Sequence, residues 1–433
     1  MALTAGIPAR SAAIELLNAV LIDKTSLDNA MTKSEEFSRL HGPDRAFARM
    51  LVSTCLRHLG EIDLAINQFL LKPLTQNAIL VRQSLRIGTA QLLFLGTPAH
   101  AAVDTSVNLL KGTRYAGFTG LVNAVLRRVP SAEPASLSVG AIANTPNWLF
   151  DTWQKEYGDE LAQEIALAHI QEAPLDITPK ADPESVAQQL EGELLPSRSI
   201  RLRSPGDITE LPGYSAGDWW IQDAAAALPA HLVPEPSGKR ILDLCAAPGG
   251  KAAQLAAAGG HVTAIDRSDI RLDVMRANFE RLNLQAEILA ADVATWRPKE
   301  LADAVLLDAP CTATGTIRRH PDILFLKEKS DLRRLAKLQS ELLNAAAEML
   351  RPGGFLVYVV CSLQPEEGSR VVNKFLLNND AFSRDPIRDD EERIPSEFRT
   401  ESGDLRTLPS HWSASGGLDG FYAARLIRKT NSK

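Results

Sequence analysis

The chain has 433 residues, 45% hydrophobic and 23% charged, which is enough apolar material for two or three ordinary cores. A net charge of −6 and a pI near 5.8 argue against indiscriminate nucleic-acid binding through global charge, while leaving local patches open. The four cysteines, Cys55, Cys245, Cys311 and Cys361, form no CxxC pair and have no histidine at metal spacing; with no apolar run of about 18 residues, the pattern predicts a cytoplasmic chain without a disulfide framework or bound metal.

The N-terminal stretch "MALTAGIPARSAAIELLNAV" carries an acidic residue inside its apolar run, unlike a signal peptide. From residue 8 to about 130, apolar residues recur at helical spacing: Ile14, Leu17 and Leu21, then Ile62, Ile66, Phe69 and Leu70, then Leu121, Val122, Val125 and Leu126. Short connections between these runs predict an all-α bundle as a first domain over 1–135. Residues 1–140 carry 14 Lys and Arg against 10 Asp and Glu, whereas the remainder carries 33 against 43. This first domain is therefore the better electrostatic candidate for an RNA contact. Arg45, Arg49, Arg57, Arg82, Arg86, Arg127 and Arg128 are candidates for a phosphate-binding face; the alternative is a generic scaffold.

The stretch 129–148, "VPSAEPASLSVGAIANTPNW", is rich in Pro, Ser and Ala and reads as a linker. Beyond it "WLFDTWQKEYGDELAQEIALAHIQ" predicts a helix, and "PLDITPK", "SIRLRS" and "DWWIQD" predict short strands, giving a small α+β middle domain over 145–235. Trp148, Trp153, Trp219 and Trp220 fall there, as base-stacking candidates or, more commonly, core. From 239 strands alternate with helices, predicting a Rossmann-like doubly wound α/β domain over 236–433. Its apolar runs are "RILDLCAA", "HVTAID", "EILAAD", "DAVLLDAP", "GFLVYVVCS" and "FYAARLIR".

Ligands of such sheets bind at the carboxyl ends of the strands. The first run ends in "DLCAAPGGKAAQL", where Gly249 and Gly250 would let the backbone approach a ligand and a helix follows. A phosphate-binding P-loop is not expected, because Cys245 stands at the first-glycine position and Ala252 replaces the hydroxyl residue. Asp266, Asp292 and Asp308 end the next runs. Strand-end acids around one glycine turn point to an adenosine-containing ligand without phosphates, best matched by S-adenosylmethionine. Two further runs lead into Cys311 and Cys361, so neighbouring strand ends would bring both thiols over one cleft, with Lys251, Arg318, Arg319 or His320 available to lower a thiol pKa.

The blocks "DLCAAPGGK", "DAPCTATG" with "IRRHPDI", and "CSLQPEE" resemble the RNA cytosine-5 methyltransferases. The N-terminal part, most clearly "GLVNAVLRRV", is similar to NusB, and the combination resembles the Sun/Fmu family of bacterial 16S rRNA (cytosine-5) methyltransferases over nearly the whole chain. The resemblance implies a monomer that uses S-adenosylmethionine to form 5-methylcytosine in 16S rRNA before the subunit is complete. Cys361 would be the nucleophile and Cys311 the residue that helps product release. Asp308 would contact base and cofactor, and the cofactor would further touch Cys245, Ala246, Ala247, Pro248, Gly249, Gly250, Lys251, Asp266 and Asp292. Val360 departs from the usual Thr before the nucleophile, "LFLKEKSDL" lacks a common tryptophan, and "RDDEERIPSE" over 388–397 is acidic. Alternatives are the same chemistry on tRNA or another RNA, or a non-catalytic assembly factor.

Overall fold

The structure is a computed structural model and describes residues 6–133, 136–203 and 206–430. Pro134 and Ala135 of the expected linker, Ser204 of the second expected short strand and the first five residues lie outside them. Contacts divide the chain into two units: residues up to Gln171 with Ile317–Glu328, and Glu172–Thr316 with Lys329 onward.

The first unit is helical, as its periodicity predicts. Helices over Ile7–Leu21, Gly42–Arg57, Ile79–Leu93 and Thr119–Arg128 bury Leu16, Leu17, Leu51, Val52, Leu85 and Leu126 in one core. The expected linker is itself structured. Ser136 accepts from the Val139 amide and caps a helix over Leu137–Ala143. The next helix, Asn147–His169, groups with the preceding helices; Gly158, at φ 83°, interrupts it. The segment Ile317–Glu328 also belongs to this unit: the Leu27 amide donates to Asp322 (2.9 Å), and the Arg57 guanidinium donates to the Arg318 carbonyl (2.8 Å).

The second unit opens with a four-stranded antiparallel sheet in which β1 (Leu175–Pro179) lies between β3 (Ile200–Leu202) and β4 (Trp219–Ile221), with β2 (Glu193–Leu194) at the edge beside β3. Trp153, Trp219 and Trp220 are buried in the cores of their units, which rules them out as exposed stacking platforms. The larger sheet contains β5 (Arg240–Leu244), β6 (His261–Asp266), β7 (Glu287–Ala290), β8 (Ala302–Asp308), β9 (Leu350–Val360), β10 (Phe382–Arg384), β11 (Leu405–Arg406) and β12 (Tyr422–Arg428). Its order is β10-β12-β9-β8-β5-β6-β7, with β11 beside β12; β9, β8, β5, β6 and β7 run parallel, and β12 is antiparallel to β9.

The parallel strands are Val-, Leu- and Ala-rich because helices cover both faces. Helices over Gly250–Ala257, Asp269–Arg281 and Lys329–Glu348 separate them, where the sequence predicts helical segments. In β8 and β9, Asp308 stands opposite Val359, so the two strands end level with each other. That register decides where the chain beyond each strand meets.

Candidate active site

Two residues, Ala309 and Pro310, separate Cys311 from the end of β8, and Cys361 follows β9 directly. Their sulfurs lie 3.4 Å apart. The loops are tied through the backbone as well: the Gly315 amide donates to the Cys361 carbonyl (3.0 Å), and the Gly420 amide donates to the Gly315 carbonyl (2.8 Å). A Cβ on Gly315 would stand 1.9 Å from the Gly420 carbonyl oxygen, so no side chain fits between these strands of backbone.

Lys251 reaches the same region from the helix after β5. Its ammonium lies 2.8 Å from Asp308 and 5.2 Å from the centre of the Phe421 ring. Burial by itself would lower its pKa, but Asp308, Asp243 and the Cys361 sulfur raise it overall, so the ammonium is retained. Arg318, Arg319 and His320 fall in the segment that belongs to the first unit, leaving Lys251 as the expected basic residue within the second. The anticipated lowering of thiol pKa fails at Cys311. Its hydrogen bond to Cys361, then burial, then the charges of Cys361 and Glu367, push it well above its ordinary value.

The turn after β5 places the remaining expected cofactor residues. Cys245 adopts φ 60°, an uncommon conformation for a residue with a side chain. Burial and then the carboxylates of Asp308, Asp266 and Asp243 push its thiol up to about 12, so it stays protonated at neutral pH. Ala246 and Ala247 are buried, the latter donating its amide to Asp266 (3.2 Å), and Arg271 donates to the Ala247 carbonyl ahead of Pro248. Asp266 also accepts from the Ser268 amide (3.0 Å). Asp292, two residues past β7, is exposed and accepts from the Ala294 amide (2.9 Å).

The two glycines are also close to other parts of the protein. Gly249 sits at φ 102°, and a Cβ there would lie 2.7 Å from Met275; one on Gly250 would lie 3.3 Å from Gln222. The close approach they permit includes that of the protein's own side chains. Val360 also departs from expectation. It is buried on the same face of β9 as Tyr358, in the apolar cluster with Leu244 and Leu307, so a hydroxyl there would be buried among apolar side chains.

The acidic 388–397 segment has an internal role: Glu391, with Asp385, pairs with the buried Arg425 (2.7 and 2.6 Å). Phe325 and Leu326 of "LFLKEKSDL" pack on the helical core. Among the arginine candidates, Arg57 is committed to Arg318, and Arg86 binds Asp63 through two bonds (2.8 and 2.6 Å). The expected arginine face is therefore reduced by these two.

The sequence reading missed four contributors: Phe421, Thr312, Ser362 and Glu367. Glu367 is fully buried between the cysteine loops, and its only sequence signal was its place in "CSLQPEE". A cleft of about 930 Å³ beside Lys180, Arg393 and Arg425 contains none of the thiol-site residues.

The donor set suits a ligand with hydroxyls and positive charge. Strand-end carboxylates surround the β5 turn, and Lys251 is turned to Asp308, not to the turn's amides where a phosphate would need it. Residues 230–427 match the family described as 16S rRNA methyltransferase RsmB/F, and residues 7–131 match the NusB family. A ribosomal RNA small subunit methyltransferase B from Klebsiella pneumoniae (strain 342) is 33% identical over 442 residues, covering 98% of each chain. The chain belongs to the RsmB/F family.

A relative of the same description from Vibrio vulnificus (strain YJ016) is 33% identical, covering 97% of this chain and 99% of its own. The crystal structure of PH0851 shares the fold with a TM-score of 0.75 at 23% identity, over 98% of this chain and 99% of that one. A methyltransferase homolog protein from Pyrococcus horikoshii matches at 26% identity and a TM-score of 0.54, over 65% of this chain and 94% of its own. As an RsmB/F-family member the protein is an rRNA methyltransferase, and S-adenosylmethionine is the cofactor expected of it. No described helix is long and apolar enough to cross a membrane.

Proposed function

We propose that this RsmB/F-family enzyme methylates carbon 5 of a cytosine in small-subunit rRNA, with Cys361 as the nucleophile and Cys311 as the release residue. The observation that carries this reading is the pair of sulfurs 3.4 Å apart beyond two adjacent parallel strands, with the Lys251–Asp308 pair beside them. Carbon 5 of cytosine is too weak a nucleophile to take a methyl group unaided. Addition of the Cys361 thiolate to carbon 6, with a proton taken up at ring nitrogen 3, makes an enamine and activates carbon 5. Bound S-adenosylmethionine supplies the electrophilic methyl group.

Lys251, paired with Asp308, lines the site, and Asp308 faces the base edge and the cofactor. The β5 turn, Cys245 to Lys251, with Asp266 and Asp292, holds the cofactor. After transfer, loss of the carbon 5 proton lets the Cys361–carbon 6 bond break and returns the thiolate. Cys311 is suited to that late step: the hydrogen bond to Cys361 and that sulfur's charge are among the causes holding its proton, and both lapse once Cys361 is bonded to carbon. The cytosine must be unpaired or flipped out, because a stacked ring cannot be attacked from its face. The NusB-family helices supply RNA affinity.

Trapping on RNA that carries 5-fluorocytosine tests the role assignment, because fluorine blocks the release step. Wild type and Cys311→Ala should form a stable covalent complex, and Cys361→Ala none. Trapping by Cys361→Ala but not by Cys311→Ala would reverse the roles.

A further inference from the structure

Thr312 follows one thiol and Ser362 follows the other. Both are fully buried, and both donate to one carboxylate. The Thr312 amide donates to Glu367 Oε1 (2.9 Å) and its hydroxyl to Oε2, while the Ser362 hydroxyl donates to Oε2 (2.6 Å). Gln339 completes the set, donating through Nε2 to Glu367 Oε1 (3.2 Å) and to the Pro310 carbonyl (2.9 Å). Behind the carboxylate, the Tyr358 hydroxyl donates to the Glu367 backbone carbonyl (2.6 Å) and fixes the turn that carries it.

A carboxylate is an acceptor with two oxygens and no proton to place, so it can receive bonds from two chain segments at once. Removing a buried charge from water is costly, and at Glu367 burial pushes the pKa up even against the bonds from Ser362, Thr312 and Gln339. Packing alone does not require such a group.

We propose that Glu367 is a positioning residue that sets the distance between Cys311 and Cys361 by holding the residue after each thiol on one carboxylate. It touches neither base nor cofactor and acts through Thr312 and Ser362. The inference rests on the proposed cytosine chemistry for its purpose, but the clamp itself is a matter of sulfur-to-sulfur distance and can be measured without RNA or cofactor.

The test is oxidation of the full-length protein by diamide, which accepts two electrons and two protons as the two thiols become a disulfide. The Cys311–Cys361 peptide is quantified by mass spectrometry against time. Sulfurs at 3.4 Å need little movement to bond, so wild type should close quickly. Glu367→Leu removes both acceptor oxygens and should slow closure by about tenfold, with Glu367→Gln, whose amide can still bond the Thr312 and Ser362 hydroxyls, in between and S-adenosylmethionine affinity within about twofold of wild type.

Equal closure rates in wild type and a folded Glu367→Leu would overturn the proposal. If that variant does not fold, Thr312→Val, which keeps the amide donor and loses only the hydroxyl, should slow closure by about threefold. No slowing there would overturn it equally. A normal closure difference in a protein that fails to methylate cytosine would reject the proposed function and keep the clamp, whereas cytosine methylation with no closure difference would do the reverse.

Discussion

Cys55 and Cys311 are both thiols held in the protonated form, for different reasons. Cys55 lies in the helix Gly42–Arg57, fully buried in the apolar core of the first unit, and burial dominates its upward shift. Cys311 is also pushed up, but the largest cause is the hydrogen bond to Cys361. A shift caused by burial lasts as long as the fold does. A shift caused by a neighbouring sulfur disappears when that sulfur forms a bond to carbon, so environment separates an inert thiol from a timed one.

The largest effect is expected of Cys361→Ala, which should lower methyl transfer by roughly a thousandfold or more, because removal of a nucleophile is not compensated by its neighbours. Binding of S-adenosylmethionine, followed by calorimetry, should stay close to wild type. Cys311→Ala comes next. Turnover should fall by roughly a hundredfold, the scale of a lost proton-transfer group, while the covalent RNA complex accumulates on denaturing gels. Slow turnover without accumulation would contradict a late role for this thiol.

Asp243 sharpens the burial half of the comparison. Burial, followed by Asp308 and Asp266 against the opposing Lys251, raises its carboxyl to about 8. The folded-state value lies above the unfolded one, so its contribution to stability is complete below about pH 4 and is lost as pH rises through about 8. Asp243→Asn should therefore flatten the pH dependence: between pH 5 and pH 8 the wild-type Tm should fall relative to the variant by roughly 7–15 °C. The smallest effect is expected of Cys55→Ala, with methylation unchanged and stability lower by roughly 1 kcal/mol in denaturant titration.

The strands and helices of the second unit were legible because each core strand is an apolar run bounded by turn residues, and the meeting of Cys311 and Cys361 followed from two runs ending in cysteine. The role of Glu367 was not. It depends on residues 312, 339 and 362 converging, and nothing local distinguishes a carboxylate that receives those donors from one that begins a helix. Gly249 and Gly250 were read as places where a ligand approaches the backbone, and the sequence gives no sign that Met275 and Gln222 also lie close against them. Val360 was given weight as a missing hydroxyl because the side of β9 it faces is a property of register. The arginines illustrate the same limit: Arg86 was expected on a phosphate face, and its partner Asp63 lies on a different helix, visible only once the helices pack.

The most direct test of the central claim is transfer of labelled methyl from S-adenosylmethionine to protein-free, unmodified small-subunit rRNA, comparing wild type with Cys361→Ala and locating the label by nuclease digestion and mass spectrometry. Label on carbon 5 of a cytosine, lost in the variant, is the predicted result. Label on another atom or base, or label that persists in Cys361→Ala, would contradict the account.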